Sequence, residues 1–261
     1  MVQKLKMVRN SPRDMHPNFF NLSTPDTLVH MLPKFDFHSH TPYSDGRSPH
    51  LAMVEMAETI GLEAMAFTDH GPELEGGTSP GRLPAMLQDI RLAKEEAGIP
   101  VLAGMEANAP DGTGRIDIDE HIIEDLDIIL LGIHTLDGED TQRDFAKKYL
   151  KVANLAVERN QLDVVAHPFF LHEPLLPHLS LDEIEEFLEL AGDRGVAMEV
   201  NAKYRYPGAD FISLCIRKGV KLSVGSDAHS TAELDRVDWA LAELKRAGAR
   251  REDLIFYKFV R

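Results

Sequence analysis

The side chains with the most to offer chemically are histidines and carboxylates that recur along the chain at spaced intervals. The first group lies in Phe35-Asp-Phe-His-Ser-His-Thr-Pro-Tyr-Ser-Asp-Gly46. Read as a short strand running into a polar loop, it places alternate side chains on one face. Asp36, His38 and His40 then point one way, and Phe35 and Phe37 the other. Two imidazoles two residues apart at a strand end can reach one metal ion, and Asp45 adds an oxygen donor from the Ser-Asp-Gly turn. A lone His-x-His is more often two ordinary polar residues, so the pair needs support from elsewhere. The chain has twelve histidines. Of these, His38, His40, His70, His134, His167 and His229 fall at or within two residues of an expected strand C-terminus, and Asp45, Glu106 and Asp227 occupy equivalent places. Four donors complete a tetrahedral zinc site, so six nitrogens and three carboxylates imply two or three divalent ions. Imidazole and carboxylate without thiolate suit Zn, Mn or Fe rather than Ca.

Such a set needs elements that deliver it to one place. Strands are expected at Glu63–Phe67, which runs into Thr-Asp-His70, and at Pro100–Glu106, Leu126–His134, Asp163–His167, Val196–Asn201 and Val220–His229. Helices are expected between them. Ser48 reads as an N-cap with Pro49 in the first turn, followed by a stripe of Ala52, Val54, Met56, Ala57 and Ile60 that ends at Gly61. Further helices span about Pro84–Ala97 (capped by Gly98), Thr141–Arg159, Leu181–Ala191, Ala209–Lys218 and Thr231–Ala247, and a short one precedes Leu126. Ser180-Leu-Asp-Glu183 is a capping box. Asp111-Gly-Thr-Gly predicts a turn into a small side hairpin ending near Ile118, and Leu254–Val260 reads as a terminal strand-like piece. Polar strand ends at 40, 70, 106, 134, 167, 201 and 227 are spaced by about one βα unit. Seven strands alternating with helices predict an α/β fold with a parallel sheet. Functional residues at successive strand C-termini favour a barrel over an open doubly wound sheet, which gathers ligands only at its switch point.

Composition narrows the function classes. The net charge, 28 − 43 = −15, disfavours non-specific binding to nucleic acid or anionic membrane. Cys215 is the only cysteine, which excludes an intrachain disulfide and fits a reducing, cytoplasmic setting. No apolar core follows Lys4, Lys6 and Arg9, so no secretory signal is expected, and the apolar run Ile128–Ile133 is too short to span a bilayer. Pro12, Pro17, Pro25 and Pro33 break any long helix. Residues 1–34 therefore read as an N-terminal extension, and 35–261 as a single domain. His16 and His30 read as surface or structural residues, and His50 and His121 as surface residues.

Taken together, His38-Ser-His40, Ser44-Asp-Gly46, Thr68-Asp-His70, Gly104-Met-Glu106, His134, Ala166-His-Pro168 and Gly225-Ser-Asp-Ala-His229 resemble the motifs of the PHP (polymerase and histidinol phosphatase) superfamily. Gly-Met-Glu-Ala-Asn108 and Met198-Glu-Val-Asn201 are similar to its YcdX-type trinuclear-metal phosphoesterases and to the PHP domains of family X DNA polymerases. The resemblance covers about residues 34–245 and implies a distorted (β/α)7 barrel with its active site at the strand C-termini. It further implies three metals. His38, His40, Glu106 and Asp227 hold the first; Glu106 bridges to a second bound by His134 and His167; Asp45, His70 and His229 hold the third. Some relatives have histidine where this chain has Asp45. The loop after His70 and the segment Phe169 to His178 follow no one subfamily.

The chemistry so implied is hydrolysis of a phosphate ester by a metal-bridging hydroxide, on a small phosphorylated metabolite or nucleotide. Glu106 and Asp227 are its central carboxylates. Lys203, Arg205 and Arg82 are candidates to hold a phosphate dianion. Asp36 and Asp69 are candidates to orient ligating imidazoles, and His172 and His178 sit where a leaving group could be protonated. Histidinol-phosphate phosphatase and 3'-5' exonuclease are alternatives within the family. Outside it stand an amidohydrolase barrel, which expects eight strands and often a lysine at the fourth strand end, and a non-catalytic docking module. Homo-oligomerisation stays open.

Overall fold

The computed structural model describes residues 31–136, 138 and 141–260. The N-terminal extension expected over 1–34 lies outside those residues except at 31–34, and His16 and His30 lie outside them too. Leu32–Arg261 forms one compact unit.

Its framework is a parallel sheet of seven strands: β1 (Phe35–Asp36), β2 (Ala64–Phe67), β3 (Val101–Asn108), β4 (Ile128–Gly132), β5 (Val164–Val165), β8 (Ala197–Asn201) and β9 (Leu222–Gly225), hydrogen-bonded in that order. Every residue of these strands is buried. That suits strands covered on both faces, and it explains their nearly continuous apolar runs. The two outer strands meet at their C-terminal ends. Ser39 bridges Ala228 in parallel, Phe37 N–H donates to Val224 O (2.9 Å), Asp227 N–H to His38 O (2.9 Å) and His40 N–H to Ala228 O (2.8 Å). The sheet is thus a nearly closed barrel, as the strand count predicts.

The intervening helices are α1 (His50–Thr59), α2 (Leu83–Glu96), α3 (Glu120–Ile123), α4 (Gln142–Arg159), α5 (Leu181–Arg194), α6 (Ala209–Lys218) and α7 (Val237–Arg246). The Ser180/Glu183 capping box opens α5, and Gly219 ends α6 in the left-handed conformation (φ 73°) that favours glycine.

Several local expectations give way to tertiary contacts. Pro49, not Ser48, caps α1, because Ser48 Oγ accepts from Thr231 N–H (3.2 Å) instead. Ala97 rather than Gly98 ends α2, and Gly98 N–H donates to Glu58. No hairpin follows Asp111 among the described residues. Asp117 turns the segment back onto Asn108, accepting from its N–H (2.7 Å) and Nδ2 (2.7 Å), so no partner strand is free to pair. The hairpin that does form is unheralded: β6 (Phe170–Leu171) with β7 (Glu173–Pro174). The last long helix is split, Thr231–Arg236 being 3₁₀ before α7. The expected terminal strand is a helical turn, α8 (Phe256–Phe259). Residues three apart share a helix face, so both rings reach Phe37, with centroids 6.3 and 5.7 Å away.

Candidate metal centre

All nine side chains singled out as donors come together where the strands end. β1 leads to His38, His40 and Asp45; β2 to His70; β3 carries Glu106; β4, β5 and β9 lead to His134, His167, and Asp227 with His229. Glu106 stands at the middle, wholly buried. Its Oε2 lies 3.2 Å from His38 Nε2, 3.7 Å from His40 Nε2 and 2.8 Å from His70 Nδ1. Its Oε1 lies 3.2 Å from His134 Nε2 and 3.0 Å from His167 Nε2. A second focus gathers on Asp45: His229 Nε2 is 3.0 Å away, His70 Nε2 3.7 Å and His40 Nδ1 4.0 Å. Asp227 Oδ1 lies 3.6 Å from both His40 Nε2 and His229 Nδ1. Three compact groups result: His38–His40–Glu106, His70–Glu106–His134, and His40–Asp45–His70–His229, the donor atoms of each within 4.8 Å of one another. His40 and His70 stand between groups, a sharing that sequence spacing did not suggest.

These donors fit divalent ions better than they fit one another. Glu106 Oε2, His40 Nδ1, His70 Nδ1 and His167 Nδ1 are buried without a hydrogen-bond partner. His70 Nδ1 and Glu106 Oε2 are close but not aligned to share a proton. His38 and His40 bring their Nε2 atoms within 3.0 Å. Buried polar atoms are otherwise almost always satisfied, so a cluster of unmet donors converging on shared points suits cations.

Protons stand in for cations in the metal-free electrostatics. Burial opposes charge on His38, but Glu199, Glu106 and Asp227 outweigh it and raise its pKa well above the ordinary value. His70 is also raised, Glu106 overcoming burial. Burial and the neighbouring imidazoles hold His40 well below the usual range, and burial lowers His134. Glu106 is ionised despite burial because His134, His38 and His70 surround it, and Asp227 because His38 and Lys203 do.

Three ring orientations are fixed from behind. His38 Nδ1–H donates to Glu199 Oε1 (2.8 Å), His134 Nδ1–H to Asn108 Oδ1 (2.7 Å) and His229 Nδ1–H to Asp227 O (3.0 Å). Each leaves Nε2 facing the cluster, the arrangement usual for ligating histidines. Glu199 Oε2 also accepts from His167 N–H (2.6 Å) and Asn201 Nδ2 (3.0 Å). Glu199 and Asn108 carry roles that single-residue reading missed. The available signal was alternation: Glu106 and Asn108 share one face of β3, and Glu199 and Asn201 one face of β8.

Asp36 and Asp69, expected to orient imidazoles, hold backbone instead. Asp36 accepts from His38 N–H (3.1 Å), Ser226 N–H (2.9 Å) and Ser226 Oγ, fastening β1 to β9, and burial lifts its pKa to about 7. Asp69 accepts from Thr41 N–H (2.8 Å), Thr41 Oγ1 (2.7 Å) and Ser44 Oγ (2.6 Å), shaping the turn that presents Asp45. Arg82 is spent on that turn as well, donating to Tyr43 O (2.9 Å) and Pro42 O (2.8 Å).

Lys203 Nζ donates to Asp227 Oδ1 (2.9 Å). Arg205 is exposed with a left-handed φ of 52°, and its guanidinium makes no hydrogen bond or ion pair among the described residues. His172 is exposed, and nothing ties it or the His178 ring to the cluster. His121 is exposed as expected, but His50 is buried, edge-on to Phe67 (4.5 Å). His167 and Asp227 also have positive φ (30° and 52°). Backbone of this kind costs energy and collects at functional sites.

Comparison with known proteins places these features in context. The family described as PHP domain matches residues 36–203. A protein named probable phosphatase from Thermoanaerobacter sp. (strain X514) is 30% identical over 233 residues, covering 84% of this chain and 88% of its own. The DNA polymerase/3'-5' exonuclease PolX of Bacillus subtilis is 25% identical over 85% of this chain but only 39% of its own length. Among solved structures, a "putative histidinol phosphatase" from Listeria monocytogenes superposes with a TM-score of 0.65 at 16% identity, over 77% of this chain and 97% of its own, a likeness of fold.

Proposed function

This chain belongs to the PHP-domain family, and from that premise we propose that it is a metal-dependent phosphatase acting on a small phosphorylated substrate. The observation that carries the reading is the convergence of imidazole and carboxylate side chains, seven of them in three compact groups of donor atoms with His167 and Asp227 beside these, around buried atoms without hydrogen-bond partners at one barrel mouth. Two or three divalent ions (Zn, Mn or Fe) are the fitting complement. His38, His40, Glu106 and Asp227 would hold one; Glu106, His134 and His167 a second; Asp45, His70 and His229 a third. Bound there, such ions supply positive charge to phosphoryl oxygens and make water acidic enough to ionise near neutral pH.

The chain's own contribution is positioning. Glu199, Asn108 and the Asp227 carbonyl fix the His38, His134 and His229 tautomers. Glu106 joins two groups of donors through its two oxygens. Lys203, now on Asp227, is placed to turn to a phosphate dianion, and Arg205 offers a second, unengaged cation. The acidic chain disfavours nucleic-acid ends, where binding rests on phosphate contacts.

The test couples composition to activity. Protein purified without added metal should carry two to three transition ions per chain and release phosphate from a panel of monoesters that includes histidinol phosphate. Glu106→Gln should keep its fold and lose about 10³-fold in kcat/KM, the several kcal/mol expected of metal-centred charge stabilisation. Fewer than one ion per chain, with no turnover after Mn or Zn addition, would sink the reading.

A further inference from the structure

The donor cluster accounts for the phosphate end of a substrate and leaves the alcohol end unassigned. Six large apolar side chains of the described residues are more than a third exposed, and Tyr204 is the one that lies against the cluster. It follows β8, with its backbone N–H held by Asn201 Oδ1 (3.1 Å). Its ring stands edge-on to His167, centroids 5.6 Å apart at 87°, and Lys203 Nζ lies 5.3 Å from its centre. Phe170, on the β6–β7 hairpin, stacks on it at 4.5 Å and 23°, and Tyr206 backs Phe170 at 5.6 Å. An aromatic wall, 38% exposed at Tyr204, thus rises beside the phosphate end of the site.

Resting on the phosphatase reading above, we propose that Tyr204 and Phe170 form the leaving-group subsite and select phosphate monoesters whose alcohol carries a planar ring one or two bonds from the ester oxygen. His167 touches Glu106 at the centre of the cluster and Tyr204 at its edge. The group leaving phosphorus therefore emerges beside the tyrosine ring. Offset or edge-on aromatic pairs gain energy beyond the area they bury, which a saturated ring of the same size does not. The reaction is simple hydrolysis. The P–O bond to the alcohol breaks and one to the water oxygen forms, and a proton from that water goes to the departing oxygen.

The test compares benzyl phosphate with cyclohexylmethyl phosphate, and their non-hydrolysable phosphonates as inhibitors, in metal-replete wild type, Tyr204→Phe and Tyr204→Leu. The benzyl compounds should show KM and Ki values about three- to tenfold lower in wild type and Tyr204→Phe. The ratio should fall to about one in Tyr204→Leu, through higher KM and Ki for the benzyl compounds. Equal handling of both esters by wild type, or a preference that survives Tyr204→Leu, overturns the subsite. Turnover of neither ester by wild type that does release phosphate from the monoester panel also overturns the subsite; no release from the panel either overturns the phosphatase reading on which it rests.

Discussion

At the scale of single residues, environment decides role more than residue type does. Glu199 and Glu106 are both buried carboxylates among imidazoles, yet Glu106 keeps an oxygen without a hydrogen bond while Glu199 spends its oxygens on His38, His167 and Asn201. Glu199→Gln should therefore keep the fold and lower metal affinity or kcat/KM by about 10- to 100-fold, the usual cost of removing a partner behind a ligand; titration with Mn or Zn checks it. His50 shows the opposite case, a histidine with no chemistry. Burial against Phe67 lowers its pKa from 6.5 to about 4. Between those values the unfolded chain binds the proton more readily than the folded one. Stability is thus full above pH 6.5 and lost as pH falls toward 4, by about 3 kcal/mol at 1.36 kcal/mol per pH unit. In chelator-treated protein, urea unfolding of His50→Leu at pH 7 and pH 4.5 should show a flatter acid limb than wild type. An unchanged limb would reject the assignment.

At the scale of elements, the strands bring donors so close together that glycine is required between them. A Cβ on Gly225 in β9 would collide with the Glu199 carboxylate and with His38 Cβ, and one on Gly132 in β4 with Glu106 and His134. Gly225→Ala should cost about 1–3 kcal/mol from overpacking and reduce bound metal. Gly81→Ala, where nothing lies within 4 Å, should change stability by less than about 0.5 kcal/mol. Urea midpoints and elemental analysis distinguish the two. The turn after β1 follows the same logic with hydrogen bonds in place of packing. Asp69 and Arg82 grip Thr41–Ser44 from two sides and so fix where Asp45 stands.

At the scale of the whole molecule, the cluster ties the two outer strands of the barrel to four of the five between them, and Glu199 joins β8 to it through His38. No helix among the described residues is long and apolar enough to cross a membrane. Ions that bind only the folded chain should stabilise it by about 4 kcal/mol per site at a thousandfold excess over Kd. Dialysis against EDTA should accordingly lower Tm by about 10 °C for each ion removed, and Zn or Mn should restore it; a Tm indifferent to chelation would argue that the donors hold no ion. The sequence by itself determined the seven-strand α/β barrel and singled out the nine candidate donors. Strand period, strand-end position and side-chain chemistry are local properties that one chain displays in order. Only the tertiary structure decided how the donors divide, with His40 and His70 between groups, because that depends on contacts between residues distant in the chain. The same dependence placed Glu199 behind His38, took Asp36, Asp69 and Arg82 for backbone, buried His50, and folded the last residues as a helical turn against Phe37.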